Sequence, residues 1–567
     1  MAHPNDAAMA VNGVPQTAAP NSCAVVNGRA VNLLCYAALI AVALVIGTTN
    51  VSGTGPLFPD APRYANAGGM VHDWLVSGDL LHPYEFAKKN YCQYPAFNVP
   101  YHPPAYPALL GAFFVLTGGV SYLPARVFVA LCLAGAGTFF FAIVRRMGVG
   151  NAGSLACSLV LLTMPEIALW ARDTMSEIPA LMFLLAGSYL FVAWLRASRP
   201  WQCWAAFGLA ELAFLSRVTT AGVLPAWFIY AILTGNFRRL LSPHVVLASV
   251  LFLVVNVGWV KFAVSFSKYE TTQNVALFRV DRLSWDNLSF YPAHLPGLVG
   301  WGTLAVAVLG LCYTIRRPTR SPGGLFWCCW FLCYYGFQLA LSSNEERYFL
   351  SALPSLPGLC AALFGGGVPR WVRRTAPVFV AVALVSNLIH LGQIPHGVVG
   401  YDAVAERLNQ LERSGNILLA CREDQDLIFR YRAQRPSVER TMIRSDRSLA
   451  IRVAPYGNLE PEIRAHKTED VVDLVRRGRV RYLVTCVSAA PEDPGYCQEM
   501  ALAHKAAVSL PQSFGLVEEF PLHIHFVRGR GTNVRVYLWE YRGELPEGPS
   551  EIPVVIPTAD LILQADK

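Results

Sequence analysis

The sequence predicts a polytopic α-helical membrane protein of about eleven transmembrane helices with a C-terminal extracytoplasmic α/β domain. Three observations carry that prediction. Of 567 residues, 54% are hydrophobic and only 15% charged, where a soluble chain carries roughly a quarter charged. The apolar residues gather in runs of about 20, the length that a bilayer core demands, and the runs stop near residue 395. Beyond it, short apolar stretches alternate with charged amphipathic ones, as in a soluble fold.

Taken in order, residues 1–28 are polar and rich in Ala, Asn and Pro. No basic start feeds a short apolar stretch there, so this segment reads as a disordered cytoplasmic tail and the first apolar run as a retained helix. Apolar spans follow at 31–50, 123–144, 151–170, 177–195, 203–216, 220–237, 245–264, 296–314, 325–341, 349–367 and 375–394. With the amino terminus inside, Arg145/Arg146, Arg196/Arg199, Arg238/Arg239, Arg316/Arg317/Arg320 and Arg370/Arg373/Arg374 all fall on the cytoplasmic side, as the positive-inside rule requires. Asp60, Asp73, Asp79, Glu85, Asp173, Glu177, Glu345 and Glu346 fall on the other.

The net charge of +8 is then topology rather than the footprint of a nucleic-acid partner, which is excluded. The 14 cysteines lie mostly within apolar runs without ligand spacing and read as small buried hydrophobes, only Cys486 and Cys497 being placed for a disulfide.

The membrane domain spans 29–398, and its outer loop at 51–122 is too long for a simple connection. Tyr64 to Leu80 is amphipathic and expected along the membrane surface, and Pro104 to Leu116 is expected as a juxtamembrane or re-entrant helix. An α/β domain follows at 399–542. Ile417 to Cys421, Tyr482 to Val487 and Val534 to Tyr541 read as its strands and Thr468 to Arg477 as a helix, and a Pro-rich tail covers 543–567. No Gly-rich phosphate loop occurs in this domain, so catalysis is assigned elsewhere.

Few residues outside the membrane are suited to chemistry. Asp60, in Phe-Pro-Asp-Ala-Pro-Arg-Tyr, has Arg63 and Tyr64 three and four residues on, hence on one helical face. A carboxylate beside a cation serves as a base while the cation attracts phosphate; the plainer role is an N-cap. In Ala171-Arg-Asp-Thr-Met-Ser-Glu-Ile-Pro179, Asp173 and Glu177 are four apart, and capping of the following helix explains them equally simply. Lys88/Lys89, Arg217 and Arg347 are outer cations against the topological bias. Snorkelling accounts for such residues, and a phosphate clamp is the alternative. His102, in Tyr-His-Pro-Pro-Ala-Tyr-Pro, is either structural or a substrate contact.

Together, the early Asp60, Tyr-His-Pro-Pro-Ala-Tyr-Pro-Ala-Leu-Leu, Ala-Arg-Asp-Thr-Met-Ser-Glu-Ile-Pro-Ala-Leu, Leu-Ser-Arg and Glu-Arg-Tyr-Phe-Leu-Ser-Ala-Leu-Pro resemble the bacterial protein O-mannosyltransferase and lipid A aminoarabinose transferase superfamily, which has the GT-C fold. The resemblance covers about 30–395. It implies an inverting glycosyltransferase that takes a sugar from a polyprenyl-phosphate donor and passes it to a hydroxyl of an envelope lipid, glycan or protein, at the outer face of the inner membrane among membrane lipids. By the same resemblance Asp60 is the general base, and Glu177 is the second acid with Asp173 beside it. Arg63, Arg217 and Arg347 are its candidates for holding the phosphate. Tyr64, His102 and Lys88, read from the residues themselves, are further candidates for contacting substrate or phosphate, and a monophosphate leaving group requires no metal or other cofactor. Ala61 after Asp60 departs from the Asp-Glu of eukaryotic-type protein mannosyltransferases, which weakens protein O-mannosylation in particular.

A transporter or lipid flippase is the alternative. It would place ionisable groups at the bilayer midplane and interrupt helices in matching halves, whereas these spans contain chiefly Glu211, with Lys261 near an outer end. An inactive scaffold is a third reading, against which intact Asp60 and Glu177 count.

Overall fold

The computed structural model describes residues 22–50, 55–97, 102–266, 281–318, 321–341, 344–365, 368–394, 397–451, 462–488, 497–526, 531–548, 550, 552, 554–556 and 561–563. The tail expected at 1–28 therefore lies largely outside the described residues, and from Ser22 onward the backbone is already helical.

The membrane domain begins with α1 (Ser22–Thr48), α2 (Ala61–Ser77), α3 (Pro83–Gln93), α4 (Ala105–Thr117) and α5 (Tyr122–Arg146). It continues with α6 (Asn151–Thr163), α7 (Pro165–Trp170), α8 (Glu177–Ala197), α9 (Pro200–Phe214), α10 (Val223–Leu233) and α11 (Pro243–Phe266). It ends with α12 (Trp285–Val299), α13 (Trp301–Arg316), α14 (Pro322–Leu341), α15 (Ser355–Ala362) and α16 (Arg370–Leu391).

Among the described residues, six helices are long and apolar enough to cross a bilayer unaided: α1, α5, α8, α11, α14 and α16. The bent pair α12 and α13, at 119° to each other, makes a seventh if it counts as one span. The expected eleven are thus not all full-length helices, and the backbone explains why. Pro165 stops α6 after 13 residues and starts α7, because proline lacks the amide that would continue the ladder. A 3-10 segment, Val218–Gly222, precedes α10 and leaves it 11 residues. Gly300, at φ +80, turns the chain between α12 and α13, and a Cβ there would lie 2.6 Å from Oδ1 of Asn387. All eight residues of α15 are buried, so its free helix ends meet protein rather than lipid, the condition under which short helices are tolerated at membrane depth.

The long loop at 51–122 supplies α2, α3 and α4. One face of α2 is packed against protein: Ala61, Tyr64, Ala65, Asn66, Gly68 and Gly69 are all buried. Small residues permit this. A Cβ on Gly68 would stand 2.9 Å from Leu110 of α4, and one on Gly69 would stand 3.0 Å from Arg432 of the C-terminal domain.

The C-terminal domain has a six-stranded mixed sheet in the order β1 (Gly397–Val399), β7 (Phe514–His525), β8 (Thr532–Tyr541), β6 (Val480–Ser488), β2 (Asn416–Ala420), β3 (Met442–Arg444). The remaining short strands pair as β4 (Ala450–Ile451) with β5 (Glu462–Ile463) and β9 (Val554–Ile556) with β10 (Leu561–Leu563). Strand β2 runs parallel to β3 and β6, and Ile417 faces Tyr482; β6, β8, β7 and β1 are successively antiparallel.

One face packs α17 (Tyr401–Gln410) and α18 (Asp424–Ala433) through Val404, Leu408, Leu427 and Ile428. The other packs α19 (Thr468–Arg477) and α20 (Gln498–Ser509) through Val471, Leu474, Ala503 and Ala506. Alternation of strand side chains between faces produces these two cores. Cys486 on β6 and Cys497 at the start of α20 are both buried, and the Cys486 sulfur accepts from the Arg422 amide. The tail expected past 543 is in part the β9–β10 pair.

The two domains meet closely at Gly55, where a Cβ would fall 1.8 Å from the Val398 carbonyl oxygen and 2.9 Å from a nitrogen of Arg430. Gly55→Ala should therefore destabilise the docked chain by about 1–3 kcal/mol, visible as a lower unfolding midpoint and faster proteolytic release of the C-terminal domain.

Candidate active site

Asp60 closes the segment that follows α1 and occupies the N-cap of α2, but its side chain caps no helix amide. Its oxygens face two guanidiniums instead. Oδ1 accepts from Nη1 of Arg63 at 3.1 Å and Oδ2 from Nη1 of Arg347 at 3.0 Å. Arg347 lies in the 3-10 segment Glu346–Ala352, also pairs with Glu345 and stands 4.2 Å over the Phe58 ring. Burial alone would raise the Asp60 pKa, yet Arg347 and Arg63 hold it well below the usual carboxylate range.

The second acid, Glu177, opens α8, and its side chain is 0% exposed. Nη1 of Arg217 approaches Oε1 at 2.8 Å, but the geometry is ionic rather than that of an aligned hydrogen bond. Among the described residues, neither Glu177 oxygen nor Nη2 of Arg217 has a hydrogen-bond partner. Such buried, unsatisfied polar atoms are costly. The Arg217 and Arg347 guanidiniums each lie 5.3 Å from the centroid of Tyr348, so one ring joins the two ion pairs.

Tyr64, one turn after Asp60, accepts from the Ser176 hydroxyl at 3.3 Å and has its ring 4.4 Å from His102. Burial pushes the His102 pKa down to about 4 against the opposing pull of Asp60, so this ring is neutral at neutral pH. Asp173 accepts from backbone amides instead. Its Oδ2 accepts from the Leu57 amide at 3.1 Å and its Oδ1 from the Thr174 amide at 2.8 Å. It thereby anchors the backbone three residues before Asp60.

Lys88 does not join the cluster: it pairs with Glu85 at 3.1 Å and lies 4.3 Å over the Tyr84 ring on its own helix, α3. Sequence reasoning missed Ser176, Tyr348 and Glu345, the last two flanking residues already singled out. It also missed Gln425, whose Oε1 accepts from Nε of Arg63 at 2.9 Å across 362 residues and which no local pattern could have revealed. Among the described residues, no group of three or more His, Cys, Asp or Glu side chains is placed to hold a metal ion.

The helical membrane domain carrying a C-terminal sheet domain has an ArnT-like GT-C fold. Residues 101–261 match the family described as dolichyl-phosphate-mannose-protein mannosyltransferase. The fold is similar to that of ArnT from Cupriavidus metallidurans in the apo state, with 17% identity, TM-score 0.57, and 91% of this chain and 98% of that chain covered. ArnT bound to undecaprenyl phosphate aligns at 16% identity and TM-score 0.54, covering 88% of this chain and 97% of that one. The archaeal oligosaccharyltransferase AglB from Archaeoglobus fulgidus, in complex with an inhibitory peptide and a dolichol-phosphate, aligns at 10% identity and TM-score 0.51, covering 86% and 73%. No curated protein sequence matches the chain.

Burial pushes the Asp173 pKa from 3.8 to about 8, against the Thr174 and Leu57 amides and the charge of Arg126. A value raised on folding means that the protonated form favours the fold. That stability is fully present below the unfolded value and is lost as pH rises through about 8. Asp173→Asn should therefore flatten the decline in unfolding midpoint that the wild type shows as pH rises from about 4 to about 8. Asp173→Leu should be less stable throughout, by about 1–3 kcal/mol for each amide left without an acceptor.

Proposed function

We propose that this protein is an inverting glycosyltransferase. It moves a sugar from a polyprenyl-phosphate donor to an acceptor hydroxyl at the outer face of the inner membrane. The observation that carries the reading is the single cluster in which Asp60 stands between Arg63 and Arg347, while a third guanidinium, Arg217, has an unsatisfied buried nitrogen. Asp60 takes the proton of the attacking hydroxyl. Arg217 and Arg347 stabilise the charge that develops on the departing phosphate, a term often the largest in catalysis.

The resting arrangement adds one requirement. A carboxylate held well below its usual pKa by two guanidiniums is a weak base. A donor phosphate competes for Arg347, and its withdrawal from Asp60 raises the basicity of Asp60 at the moment the donor is seated. The monophosphate leaving group is neutralised by guanidiniums, so the chemistry calls for no metal ion.

The presence of undecaprenyl phosphate in a structure of similar fold supports a polyprenyl-phosphate donor. The arginine distribution among the connecting loops supports an outward-facing site and C-terminal domain. The transporter reading has less support. Glu211, the chief ionisable residue of the spans, accepts from Asn256 at 2.9 Å.

Asp60→Asn should abolish transfer from a labelled polyprenyl-phosphate sugar while the protein remains folded, and normal turnover by that variant would remove the base assignment. In the wild type the acid limb of kcat/KM should lie below the ordinary carboxylate range, since Asp60 stays ionised to low pH. Arg347→Gln should move that limb upward and lower the rate. For sidedness, Ala403→Cys, an exposed position on α17, should gain labelling by a membrane-impermeant thiol reagent in intact cells relative to the parent chain. Labelling of that position only after lysis would reverse the topology.

A further inference from the structure

We infer that Gln425, a residue of the C-terminal domain, is a positioning residue for the proposed base: it orients Arg63, which in turn orients Asp60. The inference rests on the assignment of Asp60 as the base, and it gives the C-terminal domain a part in the reaction.

Gln425 is 8% exposed and lies in the first turn of α18. The residue before that helix, Glu423, has φ +54, a left-handed turn that non-glycine residues adopt only where their surroundings hold it. That turn swings the first residues of α18 onto α2. There the Gln425 side-chain oxygen takes the Nε proton of Arg63 at 2.9 Å, while Nη1 of the same guanidinium reaches Asp60 at 3.1 Å. A guanidinium is planar and its donors have fixed directions. An acceptor on Nε therefore sets the plane in which Nη1 points.

Docking of α18 does not itself need this contact. Asn66 donates to the Gln425 backbone oxygen at 3.0 Å, and Arg432 donates to the Asn66 carbonyl at 3.1 Å and to Asp73 at 2.6 Å. Tyr122 donates to Asp426 at 2.7 Å, and Arg444 to the Pro95 carbonyl at 3.2 Å. These bonds run to backbone atoms or to residues outside the cluster. Among the described residues, the Gln425 side chain is the C-terminal-domain group hydrogen-bonded to Arg63; the buried carboxylate of Glu423 also feels the Arg63 charge, without a hydrogen bond to it.

The residue type fits the role. A neutral amide oxygen holds Arg63 without competing for its charge, whereas a carboxylate would share the guanidinium with Asp60 and weaken the hold on it. An apolar side chain would leave a buried Nε without an acceptor.

The test uses the full-length protein in vesicles. Gln425→Met should lower kcat between roughly 10- and 100-fold, as small misplacements of a reacting group do. It should leave KM for the donor within about twofold and raise the acid limb of the pH profile, because Asp60 is less firmly paired. In an Arg63→Met background the same substitution should change kcat less than about twofold, the signature of two residues acting through one contact. Asn66→Ala serves as the docking control, lowering the unfolding midpoint without moving the acid limb.

An undiminished effect of Gln425→Met in the Arg63→Met background would assign the loss to docking and overturn the inference. So would wild-type kcat and acid limb in Gln425→Met. If Gln425→Met fails to fold, Gln425→Glu takes its place. It keeps an oxygen within reach of Nε, and an acid limb unmoved in that variant would overturn the inference as well. Full activity in Asp60→Asn would instead remove the base assignment. An inactive Asp60→Asn beside a fully active Gln425→Met would remove the positioning role alone.

Discussion

The arrangement around Asp60 depends on one constraint: three carboxylates and three guanidiniums are drawn into one cluster that ranges from the fully buried Glu177 to the part-exposed Glu345, and each sign is stabilised there by the other. Asp60, Glu177 and Glu345 pair with Arg63, Arg217 and Arg347. Removing one partner from such a set leaves an uncompensated buried charge, which costs far more than the pair contributes. The partners also come from separate places in the chain, Asp60 and Arg347 being 287 residues apart. The cluster thus ties the segment after α1, the start of α8, the end of α9 and the 3-10 segment after α14 to one point. That tie brings to one point segments that would otherwise be connecting loops.

A balanced cluster has a chemical consequence. Its resting state has no spare positive charge, so in the proposed reaction a phosphate would enter by competing with carboxylates for guanidiniums already engaged. Competition at Arg347 changes the basicity of Asp60, and competition at Arg217 gives a partner to its unsatisfied nitrogen. Donor binding and activation of the base are then two descriptions of one rearrangement. The neutral surroundings of the cluster leave that exchange undisturbed: His102 is held uncharged by burial, and Asp173 is turned to the backbone, where it fixes Leu57.

Much of this was legible in the sequence. Asp60, Arg63 and Tyr64 are close in the chain, and a helical turn brings them together without help. Glu177 and Arg217 stood out because charge next to an apolar run needs a reason. The C-terminal strands and the helix Thr468–Arg477 followed from alternation and amphipathic period. The span count was less legible, because hydropathy registers an apolar run without registering its breaks. Pro165, the 3-10 segment after Arg217 and the left-handed Gly300 cut runs that composition alone would carry across the bilayer.

Local pattern therefore established the class of the protein, the outer loop and most of the charged residues of the site, since short-range periodicity and the energetics of lipid act on neighbours in the chain. Pairing was settled by folding. Lys88, similar by sequence to the other outer cations, pairs on its own helix; α2, amphipathic enough for a membrane surface, packs one face against α4 and α18; and Gln425, an unremarked amide in a distant domain, touches Arg63. Hydrogen bonds and ion pairs act over a few ångströms of space whatever the separation along the chain. Partners hundreds of residues apart thus become specific only once the packed bundle and the docked domain bring them within reach.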